Sequence, residues 1–118
     1  MDRRNFLRIV VDLPAELHLD GGERIVARVR DVSAAGVQIQ CDALDSQILA
    51  PKGSCIGPQG RPIELDLGFR LDGRRLKIRC RVVFVRRVSH DEYRIGMRFS
   101  DVYQEDVLEL EKLLVRRH

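Results

Sequence analysis

The chain has no tryptophan, and aromatic residues make up only 5% of its 118 residues. A face that binds single-stranded nucleic acid by stacking bases on rings therefore has little to work with. Cysteine is scarce as well. Cys41, Cys55 and Cys80 are odd in number and lack C-x-x-C spacing, which argues against both a disulfide framework and a zinc site. A reducing, cytoplasmic setting is the expectation. No apolar run approaches the roughly 18 residues that a membrane span needs, so no membrane insertion is expected. The early arginines are not followed by an apolar stretch, so neither is a secretory leader. Charge of one sign is not in large excess: the net +3 is too mild to argue for bulk nucleic-acid binding. Histidine is rare, at positions 18, 90 and 118. Nothing in the pattern gathers these rings around a cysteine or serine nucleophile, so no enzyme activity is expected.

What the chain does have is alternation. Apolar residues are 44% and charged residues 33%, the balance of a soluble domain with a real core. In Ala15-Glu16-Leu17-His18-Leu19 the odd positions are apolar. Ile25, Ala27 and Val29 alternate with Val26, Arg28 and Arg30, and Val37 and Ile39 alternate with Gln38 and Gln40. The same holds for Ile63, Leu65, Leu67, Phe69 and Leu71, for Leu76, Ile78, Cys80, Val82 and Phe84, and for Tyr93, Ile95, Met97 and Phe99. Period two means one buried and one solvated face, as in an antiparallel sheet. Asp20-Gly21-Gly22 and Asp72-Gly73 are hairpin signals. Six strands in hairpin order predict a small barrel that hides its edges. The outward face carries Arg28, Arg30, Arg70, Arg79 and Arg81, which read as a solubilising surface.

The period changes near the end. Tyr103, Val107, Leu110 and Leu114 form one helical stripe, with Ser100 or Asp101 as N-cap, and predict a C-terminal helix over 101–117. The stretch 42–61 holds Pro51, Pro58, Gly53, Gly57 and Gly60. It reads as a long loop with room for a helical turn, a length uncommon in compact domains unless functional or disordered.

Two short motifs carry the chemistry. The first is Arg3-Arg4-Asn5-Phe6-Leu7-Arg8; the second is Asp31-Val32-Ser33-Ala34-Ala35-Gly36. Guanidinium forks grip phosphate oxygens, or guanine O6 and N7, in pairs. A carboxylate accepts from guanine N1–H and N2–H₂, and lysine would supply charge without the planar fork. Gly36 suits either a tight turn or the close approach of a base. Taken singly, the first motif reads as a solvated basic terminus and the second as an ordinary Asx-turn.

Together, in this order and on this strand pattern, they resemble the PilZ domain family, bacterial receptors for cyclic di-GMP. The family pattern is R-x-x-x-R, here Arg4 and Arg8, followed by D/N-x-S-x-x-G, here Asp31, Ser33 and Gly36. Tyr93-Arg94-Ile95-Gly96-Met97-Arg98-Phe99 also looks like the family's last strand. The resemblance covers nearly the whole chain; the departure is the long 42–61 connector. It implies an all-β fold, a six-stranded antiparallel PilZ-type β-barrel with a C-terminal α-helix, as one domain over 1–118. Residues 1–8 would be a mobile arginine arm and 9–99 the barrel. It implies cyclic di-GMP as the ligand, held by Arg4, Arg8, Asp31, Ser33 and Gly36, with no cofactor and no metal. A basic residue at Arg3 goes in this family with two stacked ligand molecules per chain. The signal would pass on by a change of shape or to an unidentified protein partner. The alternative is an adaptor of the same fold that binds proteins and not the nucleotide; all five motif positions being present argues against it.

Overall fold

The computed structural model describes residues 8–117. Six strands and two helices follow one another: β1 (Arg8–Leu19), β2 (Arg24–Ser33), β3 (Gly36–Cys41), α1 (Ala43–Leu49), β4 (Glu64–Leu71), β5 (Arg74–Arg87), β6 (Tyr93–Phe99) and α2 (Glu105–Arg116), with a 3₁₀ turn at Pro51–Gly53. The strands close into an antiparallel barrel in the order β1-β2-β3-β6-β5-β4. Four neighbours are hairpins, as expected. The β3–β4 link is not: β3 pairs with β6 and β4 with β1, and these two long-range ladders close the barrel.

Alternation sets which side chains enter. Ala15, Leu17, Ile25, Ala27, Val29, Ile39, Leu65, Leu67, Leu76, Ile78, Ile95 and Met97 are among the buried core. Each buried valine, leucine, isoleucine or methionine side chain contributes about 1.5–3 kcal/mol. At the β4–β5 turn, Asp72 and Gly73 both have positive φ, 52° and 79°, the pair that a two-residue hairpin turn requires. The Arg117 guanidinium grips the Asp72 carboxylate from the end of α2, at 2.6 and 3.1 Å.

Three expectations need correction. Phe84 does not continue the inward series. The β5–β6 ladder slips between Val82 and Phe84, so Val83 and Phe84 both reach the surface, 40% and 38% exposed. The Phe84 ring then lies over Gly96, where any side chain would overlap it. Second, the helical turn allowed for in the 42–61 stretch is a two-turn helix, so the stretch is more ordered than a long loop. Asp42 caps α1 by accepting the Asp45 N–H at 2.8 Å, and Leu49 and Ala50 join the core. Third, α2 starts at Glu105, later than either proposed cap, and its buried residues are Val107, Leu110, Leu113 and Leu114. Tyr103 lies before the helix and is 80% exposed. Asp101 instead accepts the Tyr103 N–H at 2.8 Å.

The start of α2 performs a task that a stripe of apolar residues does not reveal. β5 meets β6 only from Cys80 onward, so its earlier backbone groups on that side need other partners. Gln104 accepts the Arg79 N–H at 2.7 Å and donates to the Arg79 carbonyl at 2.9 Å. Asp106 accepts the Lys77 N–H at 2.7 Å. Two side chains thus seal a stretch of open sheet edge. Gln104→Ala should therefore cost about 1–3 kcal/mol, the penalty for leaving a part-buried backbone donor unpaired. Urea unfolding measures it, and an unchanged midpoint would contradict the sealing role.

Candidate functional site

The position of Asp31 depends on an irregularity in β2. Val29 faces Leu13 on β1 and Ile39 on β3; Asp31 faces Val10 and Gln38. Opposite Arg30, β1 has two residues, Val11 and Asp12, while β3 has none. Both ladders therefore slip at Arg30, as in a β-bulge. Val29 and Val32, three apart instead of two, are both fully buried. Asp31 is turned to the outer face beside Val10, which is 85% exposed. Unbroken alternation would have aimed the carboxylate into the core.

The strand then enters a turn that Ser33 fastens. Its buried hydroxyl accepts the N–H groups of Ala35 and Gly36, both at 3.2 Å, and donates to the Gly36 carbonyl at 3.3 Å. Gly36 begins β3 and presses against β6: a Cβ there would overlap the Met97 carbonyl oxygen and stand 3.0 Å from the Arg98 Cα. Of the two uses open to this glycine, close backbone approach is the one observed, and the approaching group is a neighbouring strand.

Arg8, expected in the arm, is the first residue of β1 and pairs in register with Ser33. Its guanidinium donates to Asp31 at 3.1 Å, the side chains being 51% and 16% exposed. Such a pair is worth about 0.2–1 kcal/mol, so it orients Arg8 more than it stabilises the barrel. Among the described residues the guanidinium meets no other acceptor. Arg3 and Arg4 lie outside the described residues.

Beside this pair runs a groove of about 280 Å³, with Arg8, Ser33 and Gly36 on one side and Val83, Met97 and Arg98 on the other. The structure thus brings Arg8, Asp31, Ser33 and Gly36 together. The far wall, Val83 and Arg98, was not singled out from sequence, where both read as ordinary outward strand positions. A larger groove, about 880 Å³, lies where the β1–β2 turn meets the 57–63 segment. Its walls carry Asp20, Glu23 and Glu64 beside Arg61 and Arg81, so acidic side chains outnumber basic ones there. Among the described residues no group of three or more His, Cys, Asp or Glu could hold a metal ion. Burial pushes the Cys41 and Cys80 thiols up to about 12, so neither is a ready nucleophile at neutral pH.

The turn makes a prediction that separates scaffold from rim. Ser33→Ala strands two N–H groups and should cost about 1–3 kcal/mol. Gly36→Ala forces β3 away from β6 and should cost at least as much, by the same logic as overpacking a core. Arg8→Ala and Asp31→Ala should change thermal stability little. Melting curves of the four variants test this; equal melting temperatures across the set would contradict it.

A family model described as PilZ domain matches residues 2–116. No curated protein sequence matches the chain. Among solved structures, the fold is similar to the Bacillus subtilis inhibitor of motility MotI/DgrA, with a TM-score of 0.69 at 16% identity over 99% of this chain and 51% of that one. It is similar also to the K. pneumonia MrkH–c-di-GMP complex, with a TM-score of 0.69 at 18% identity over 93% of this chain and 49% of that one. For the Borreliella burgdorferi PlzA protein in complex with c-di-GMP the TM-score is 0.56, at 17% identity over 92% of this chain and 38% of that one. The chain spans about half the length of these proteins or less, and at such identities the likeness is one of fold. The family model, which takes in nearly every residue from the arginine cluster to α2, goes further: the chain belongs to the PilZ domain family.

Proposed function

We propose that this domain is a receptor for cyclic di-GMP, and that it binds the nucleotide in the groove between Arg8 and the β2–β3 turn. The observation that carries the reading is the meeting of Arg8 and Asp31, 23 residues apart in sequence, at 3.1 Å, with Arg8 itself lining that groove. A guanidinium beside a carboxylate that faces outward is the pair a guanine phosphodiester calls for. The fork takes phosphate or the guanine O6/N7 edge, and the carboxylate takes N1–H and N2–H₂. Membership of the family and the nucleotide named for the MrkH and PlzA complexes support the same ligand.

In this reading Ser33 and Gly36 keep the turn in shape, while Arg4 and Arg3 come from the preceding segment. Closing of that segment over the nucleotide is the change of state passed to a partner. Arg3 adds a further cation, which suits two stacked ligands with their four negative charges.

Calorimetric titration of the chain with cyclic di-GMP should give a dissociation constant of micromolar order or tighter. Arg8→Ala and Asp31→Ala should each weaken it by about 1–3 kcal/mol, the scale of one bidentate base contact. Absence of heat and of thermal protection in the unaltered chain would overturn the receptor reading in favour of a protein-binding adaptor. Stoichiometry checks the role of Arg3. Two nucleotides per chain should fall to one in Arg3→Leu, and one in both proteins would contradict it.

A further inference from the structure

We propose that Arg98, supported by Arg81, is a nucleotide-binding residue on the rigid wall of the groove, where the two guanidinium groups hold a ligand phosphate. This rests on the receptor reading above and assigns part of the contact to strands outside both motifs.

Arg98 stands on a ridge between two hollows. One is the 280 Å³ groove shared with Arg8, Ser33 and Gly36. The other, about 340 Å³, is lined by Arg81, Ser100, Asp101 and Glu111. Both include Arg98 and Ala35, and the small side chain at Ala35 leaves the ridge low. Arg98 is fixed from both sides by register, facing Gly36 on β3 and Arg81 on β5. Two arginines directly opposite in an antiparallel pair repel and destabilise the sheet.

Neither Arg81 nor Arg98 forms an ion pair among the described residues, although the carboxylates of Asp101 and Glu111 line the hollow they share. Glu64, opposite Arg81 in register, accepts the Ser100 hydroxyl at 2.7 Å. Asp101 accepts the Tyr103 N–H. Two guanidinium groups facing each other on neighbouring strands without an ion pair of their own, one of them across a groove from a third, are a place for a doubly contacted anion. Arg8 is the first residue of β1 and Arg98 lies within β6, so the groove has a strand-borne cation on each side.

The test titrates the full chain with cyclic di-GMP in four forms: unaltered, Arg98→Ala, Arg98→Lys and Arg86→Ala. Arg86 is an exposed arginine of β5 that lines neither hollow. Arg98→Ala should weaken binding about ten- to one-hundred-fold, the worth of a charged hydrogen-bonded contact. Arg98→Lys should recover part of this, and Arg86→Ala should stay within about twofold. Without ligand, Arg98→Ala should melt no lower than the unaltered chain, because removing it relieves repulsion. Binding by the unaltered chain with no loss in Arg98→Ala would overturn this inference and leave the receptor reading standing. Equal losses in Arg98→Ala and Arg86→Ala would overturn it as well, by showing only a general effect of charge. No binding by the unaltered chain would overturn both.

Discussion

The slip of the β-ladders at Arg30 is the constraint on which the rest of the site depends. A strand of period two cannot bury Val29 and also turn Asp31 to the outer face. One residue must drop out of phase, and it does so where β1 and β3 fall out of step with β2 in opposite senses. The shift has two consequences. Val32 enters the core and anchors the end of β2, while Asp31 emerges where Arg8 can reach it. Arg30 itself sits part-buried at the slip and donates to the Gln40 side chain at 2.9 Å. A barrel strand thus delivers a carboxylate to its outer face without losing its core residues.

Energetically, the site divides into a stiff part and a loose part. The turn is stiff: a buried hydroxyl holds three backbone contacts, and β6 backbone fills the space at Gly36. The rim is loose. The Arg8–Asp31 pair is more than half exposed on the arginine side and contributes little to folding. Its value is in presenting donors and acceptors in fixed relation at the surface. Elsewhere the same ingredients serve the fold. Arg79 ties the tip of the β1–β2 hairpin to β5 through both oxygens of Asp20, at 2.7 and 2.8 Å, and this contact holds the Asp20 carboxyl below its ordinary range. Outward arginines on this barrel are therefore not one class of solubilising residue.

Alternation and turn chemistry made most of the barrel legible in sequence, because inward positions and positive-φ turns are local consequences of residue type. The failures have a common origin. Phe84 lies at a ladder slip, which depends on the partner strand and leaves no mark in the strand's own pattern. The helix α1 was legible only as room for a helical turn because Leu49 alone of its large apolar residues is fully buried, while Leu44 and Ile48 stay exposed. The start of α2 is set by Gln104 reaching a β5 edge, again a tertiary contact. At the site, Asp31, Ser33 and Gly36 were legible because their spacing in the chain reflects one turn. Arg98 was not, since its nearness to Gly36 comes from the β3–β6 ladder, which joins residues 62 apart in number only once the barrel closes.

The central claim is spatial: the nucleotide sits between the β2–β3 turn and the β6 wall. Amide chemical-shift mapping during a titration with cyclic di-GMP tests it most directly. The account predicts that the largest changes cluster at Arg8, at the amides from Asp31 to Gly36, and at Met97 and Arg98, with little change at the Asp72-Gly73 turn. Changes centred on the groove lined by Asp20, Pro58 and Glu64, with the β2–β3 turn unmoved, would contradict it.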